Sequence, residues 1–186
     1  NLRRRRCSTL IGHVRWATHG SPRDNVNNHP FTSRRGLYLF HNGVLADHEG
    51  VCERRGLDLR SDCDSEAILR IVEAARTPPL GLADALRELS GSMAVAMYDA
   101  REDLIYLARN EGRPLWLMRL VHDRRWFFAS TAEILLEALT DVHGKRAKDR
   151  IEVLMPMAAG QVHALTTHGK FHALPSIEED LVITSW

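Results

Sequence analysis

The chain reads as an α+β protein with a mostly antiparallel sheet, and three observations point there. Apolar residues recur at helical spacing in two blocks, 62–76 and 82–89. From Ser92 onward the period shortens to that of strands, in short apolar runs broken by polar turns. A third helical block and a closing hairpin follow, so strands and helices segregate along the chain instead of alternating.

Each element has its own signal. Residues 8–17 carry Leu10, Ile11, Val14 and Trp16, a short apolar stretch that reads as a strand. Residues 20–30 are rich in Ser, Pro, Asp and Asn and read as a loop. Leu37 to Phe40 is a buried strand, and His41-Asn42-Gly43 reads as a sharp turn at its end, with Gly43 able to take a positive φ. The helix from Asp62 to Arg76 opens on Asp and Ser at capping positions and lines up Ile68, Ile71, Val72 and Ala75 on one face. Pro78-Pro79 is expected to stop it. A second helix places Leu82, Ala85, Leu86 and Leu89 in register. Met93–Tyr98, Leu104–Ala108, Leu115–Arg119 and Trp126–Ala129 read as an antiparallel meander. Ser130 or Thr131 caps a third helix through Leu139, and residues 161–165 and 170–174 form a hairpin around Thr167-His168-Gly169.

Composition narrows the function classes. The 186 residues, with no internal repeat or linker, are expected to form a single domain over 1–186 with a sizeable core. A net charge of +1 gives no electrostatic reason to expect nucleic acid or a membrane as partner. No apolar run approaches the ~20 residues that span a bilayer. Arg3 to Arg6 have no apolar stretch behind them, so they are not a secretory signal. Cys7, Cys52 and Cys63 form neither a disulfide framework nor a CxxC pair, which fits a reducing, cytoplasmic setting. Asn1 is not an initiator methionine, so an upstream segment is expected to be missing.

Several residues could carry chemistry. Arg15 offers a planar fork for a carboxylate, and Asp64 could accept hydrogen bonds from an ammonium group. Taken singly, Arg15 reads better as a surface cation, and Asp64 far better as a helix cap. The Asn42 amide beside a backbone N–H is the donor pair that stabilises a tetrahedral oxyanion, although Asn-Gly is also the commonest turn dipeptide. Ten histidines raise the question of a metal, but no HExxH or tight His/Cys spacing occurs, so neither metal nor cofactor is expected.

In order, the segments GHVRWATHG (12–20), NNHPF (27–31), LFHNGVLADHE (39–49), SDCDSE (61–66), LSGSMAVAMYD (89–99), LARNEGRPLWL (107–117) and FFASTAEIL (127–135) resemble the glutaminase domain of class II glutamine amidotransferases. These are N-terminal-nucleophile hydrolases, and the resemblance implies a four-layer αββα sandwich of two mostly antiparallel sheets, here lacking its first strand. It implies that Arg15 and Asp64 bind the carboxylate and amino group of glutamine, and that Asn42 and Gly43 form the oxyanion hole. Trp16, Ala17, Thr18 and His19 would line or close a loop over the substrate, and His41 would support the Asn-Gly turn. The stretch from Ser92 to Trp116 becomes scaffold, with structural polar residues.

The family's chemistry uses an N-terminal cysteine whose thiolate attacks the glutamine amide and whose thioester water then resolves. None of Cys7, Cys52 and Cys63 falls at that place. The sequence is therefore expected to be a truncated amidotransferase domain, inactive as it stands, that would deliver ammonia to a synthase domain or subunit. Two other readings stay open: a non-catalytic glutamine-binding scaffold, and an amidohydrolase of γ-glutamyl compounds with water as acceptor.

Overall fold

The structure, a computed structural model, describes residues 9–14, 21–123, 125–166 and 169–174. In chain order these form β1 (Phe31–Thr32), β2 (Leu37–Leu45), α1 (His48–Arg55), α2 (Ser65–Ala74), α3 (Pro78–Glu88), β3 (Gly91–Asp99) and β4 (Leu104–Arg109). The chain continues through β5 (Trp116–Leu120), β6 (Trp126–Ala129), α4 (Ala132–His143), β7 (Ile151–Pro156), β8 (Val162–Thr166) and β9 (Phe171–Ala173). One sheet runs β1-β2-β3-β4-β8-β9 and a second runs β6-β5-β7, antiparallel throughout.

Alternation along the strands explains why there are two sheets. On β3, Met93, Val95 and Met97 face α2 and α3, while Ala94 and Ala96 face the second sheet. Ile105 and Leu107 of β4 meet Leu115 and Leu117 in the layer between the sheets. The outer face of the second sheet, with Met118 and Leu120, is covered by Leu135 and Leu139 of α4. The layers are helices, sheet, sheet, helix, as expected. Leu39, Ile68, Ile71 and Leu107 are wholly buried. A buried leucine or isoleucine cut back to alanine typically costs about 2–5 kcal/mol.

Four expectations need correction. Residues 9–14 enter no strand: exposure does alternate, with Thr9, Ile11 and His13 half-buried and Leu10, Gly12 and Val14 exposed, but the stretch joins neither sheet. Residues 15–17 of that stretch lie outside the described residues. His41-Asn42-Gly43 is not a turn, because the ladder with β3 runs unbroken from Leu37↔Asp99 to Leu45↔Gly91. Pro78-Pro79 starts α3 instead of only ending α2; proline needs no partner for its missing N–H in a first helical turn. The meander is two hairpins in different sheets, since the chain crosses over between β4 and β5. Three elements went unread: the two-residue β1, α1, whose HEGVCERR lacks an apolar stripe, and β7, which is nowhere fully buried.

Between the sheets β8 carries His163, 6% exposed and stacked on Phe171 with ring centroids 5.1 Å apart. Its Nδ1 has no hydrogen-bond partner among the described residues, and burial pushes the imidazole below its ordinary value. The unfolded chain takes up this proton near pH ~6.5, whereas the native state resists it. Stability should thus be full above that pH and fall below it, by up to about 1.4 kcal/mol per pH unit for each such histidine. We expect the melting temperature to drop between about pH 7.5 and about pH 5.5, and His163→Leu to flatten that slope. An unchanged slope in the variant would exclude His163 as a source.

Candidate active site

Five of the segments singled out in the sequence converge on one cavity of about 360 Å³. Its walls include His13, His29, His41, Asn42, Gly43, Cys63, Asp64, Ser65 and Arg113. Asn27, buried at the start of NNHPF, accepts the Asp62 N–H through Oδ1 at 3.0 Å and so ties that segment to SDCDSE. The His13 and His29 rings lie 4.2 Å apart, and His29 meets Phe31 edge-on.

Asp64 is held by its neighbours in a way the helix alone would not produce. It occupies the residue before α2, yet its side chain makes no capping bond. The carboxylate turns towards β2, where Oδ2 accepts the Leu45 N–H at 2.8 Å, and Oδ1 lies 3.4 Å from the Ser65 hydroxyl and 3.7 Å from the Cys63 thiol. Glu66, two residues on, fixes the approach to it by accepting the Arg60 N–H at 2.9 Å and the Ser61 N–H at 2.7 Å, and by pairing with Arg70. Burial pushes the Glu66 carboxyl up, but hydrogen bonds from Ser61, Arg60 and Arg70 outweigh it and leave it below the usual range.

His41 joins β2 to both sides. Its Nδ1 lies 2.8 Å from Ser65 Oγ, and its Nε2 lies 3.3 Å from the Ser92 carbonyl, which can only accept. Burial pushes His41 below the ordinary imidazole value, beyond what the Asp64 charge and the Ser92 carbonyl restore. A neutral ring therefore donates from Nε2 to Ser92 and accepts the Ser65 proton at Nδ1. His41 thus sits in a strand and not in a turn, tied to Ser65 on one side and Ser92 on the other.

Ser92 lies between two glycines. A Cβ on Gly43 (φ +152°) would stand 1.8 Å from the Ser92 carbonyl oxygen, and one on Gly112 would stand 2.8 Å from Ser92 Cβ. The Ser92 hydroxyl accepts the Val44 N–H at 3.1 Å, replacing a ladder bond. Within the stretch expected to be scaffold, Arg113 lines the cavity and Ser92 packs directly behind its Gly43 wall. The sequence reading missed them, together with His13, His29 and Ser65; their one signal was membership of the ordered segments.

The remaining expected residues divide simply. Asn42 lines this cavity and a neighbouring one that also holds Ser130, and one of its amide N–H groups donates to Ser130 Oγ at 3.1 Å. Arg15, Trp16, Ala17, Thr18 and His19 lie outside the described residues, as does Cys7. Among the described residues no three His, Cys, Asp or Glu side chains gather as a metal ligand set. No helix among them is long and apolar enough to cross a membrane.

Two antiparallel sheets stacked between helical layers, with a buried carboxylate at the end of a paired strand, define the class. The fold is that of the N-terminal-nucleophile amidotransferases. The glutamine phosphoribosylpyrophosphate amidotransferase of B. subtilis superposes with a TM-score of 0.63 over 90% of this chain and 34% of its own, at 20% identity. A regulatory enzyme of purine biosynthesis superposes with a TM-score of 0.62 over 83% of this chain and 32% of its own, at 19% identity.

A glutamine amidotransferase domain family matches residues 13–137, and the chain belongs to that family. By sequence it is 43% identical over 109 residues to the glutamine–fructose-6-phosphate aminotransferase of Geobacillus kaustophilus, 54% of this chain and 18% of that protein. It is 38% identical over 115 residues to the Staphylococcus aureus enzyme of the same name, 58% of this chain and 19% of that protein. The chain thus spans under a fifth of the length of these relatives.

Proposed function

We propose that this domain hydrolyses the side-chain amide of L-glutamine, giving glutamate and ammonia, and passes the ammonia to a synthase part of the same protein or of a partner. The observation that carries this is Asp64, whose carboxylate leaves the helix cap to reach a cavity also lined by Asn42 and Gly43. Asp64 receives the substrate ammonium and Arg15 its carboxylate. Residues 16–19 enclose it. Asn42 and the Gly43 N–H receive the oxygen that becomes negative when sulfur bonds to the amide carbon. Ammonia leaves, and water then releases glutamate from the thioester.

The attacking sulfur belongs to neither described cysteine. Cys52 and Cys63 are both about 1% exposed, and burial pushes the Cys52 thiol up, away from thiolate. By resemblance it belongs to an N-terminal cysteine, so turnover is to be measured on the full gene product. We expect glutamate release there, with Arg15→Ala raising KM and Asn42→Ala mainly lowering kcat. The reverse pattern would overturn these roles, and absence of both glutamine binding and release would overturn the function.

A further inference from the structure

We infer that Arg113 is a substrate-contacting residue that holds the negative charge created at the amide end of glutamine. The inference rests on the proposed glutamine site. It starts from an imbalance of partners. Arg55, Arg70 and Arg119 are also partly buried, and each is paired with a carboxylate. Arg113 is half-buried on the cavity wall, and its Nε is buried with no hydrogen-bond partner among the described residues. Leaving a buried guanidinium N–H unpaired is costly. A site that fills with an anion during its reaction cycle gives that cost a purpose.

The turn carrying Arg113 is built to hold it still. Asn110 Oδ1 accepts the Met93 N–H at 2.9 Å and the Gly112 N–H at 3.0 Å, while its Nδ2 donates to the Gly91 carbonyl at 2.9 Å. The Arg109 guanidinium donates to the Arg113 carbonyl at 3.2 Å and to Met157 at 2.7 Å. Four residues are locked so that one long cation meets the cavity in a defined place, which is preorganisation at the backbone level.

Position selects which end of the substrate it meets. Gly112 packs on Ser92, and the other side of Ser92 packs on Gly43. Arg113, the next residue after Gly112, lines the same cavity as Gly43, which we assign to the end of the reacting amide. That end is neutral in glutamine and anionic in the tetrahedral intermediate and in glutamate. Among the described wall residues Arg113 and Asp64 are the formally charged pair, one for each sign of charge the substrate presents.

The test is calorimetric binding of L-glutamine and of L-glutamate to the full chain and to Arg113→Met. Loss of a charge-assisted contact should weaken L-glutamate about tenfold or more, while L-glutamine changes by less than about threefold. Arg113→Lys should restore part of the glutamate affinity, because charge returns without the fork. Equal losses for both ligands, or none for either, would overturn the inference and leave the glutamine site standing. Binding of neither ligand by the unmodified chain would instead overturn the site itself. Should the methionine variant not fold, the lysine variant carries the same comparison: it must weaken glutamate more than glutamine.

Discussion

Gly43→Ala should prevent the chain from reaching its native structure. The added methyl carbon would fall 1.8 Å from the Ser92 carbonyl oxygen and 2.6 Å from its carbon, both backbone atoms, and 2.7 Å from His41 Nε2. No rotamer change relieves a clash with backbone. Gly43 also sits at φ +152°, where a side chain is strained before any neighbour is counted. Relief would need β2 to part from β3 at Gly43↔Met93, within the longest ladder of the sheet. We expect a loss of more than about 4 kcal/mol, seen as insoluble expression or a collapsed denaturation midpoint. A soluble variant within about 1 kcal/mol of the parent would show that the two strands can separate there at small cost.

Asp64 should yield a two-part effect that separates architecture from recognition. In Asp64→Ala the buried Leu45 N–H loses its acceptor, and the loss is expected to cost about 1–3 kcal/mol in chemical denaturation. Asp64→Asn keeps an oxygen for Leu45 but removes the charge that an ammonium group would meet. Its stability should stay within about 1 kcal/mol of the parent, while glutamine affinity falls by at least about tenfold. Equal glutamine affinity in the asparagine variant would reduce Asp64 to a strand-to-helix tie.

Much of this was legible in the sequence, for identifiable reasons. The helix over 62–76 was read because Ile68, Ile71 and Val72 repeat at the spacing that buries one face, and all three are buried. The strands were read because alternation survives even where alanine replaces the larger side chain, as at Ala94 and Ala96. His41-Asn42-Gly43 was misread because glycine's freedom serves two purposes, turning a chain and letting a carbonyl approach closely. Only the second applies, and it depends on Ser92, some fifty residues away. Arg113 stayed hidden for a related reason: a lone arginine in a turn says nothing until its missing partner is seen. The helix α1 was beyond reach, since its stability comes from His48, Val51 and Cys52 seating on α2 and not from a pattern of its own.

The packing of Ser92 between Gly43 and Gly112 bears on how such a site can diverge. Neither glycine can gain a side chain while Ser92 stays: one at 112 needs the Ser92 Cα and Cβ to shift, and one at 43 needs its carbonyl to move. Each single step passes through a form that folds poorly, so accepted changes would come in pairs. Substitutions here should be strongly epistatic, and lineages should keep the trio together or exchange it as a block.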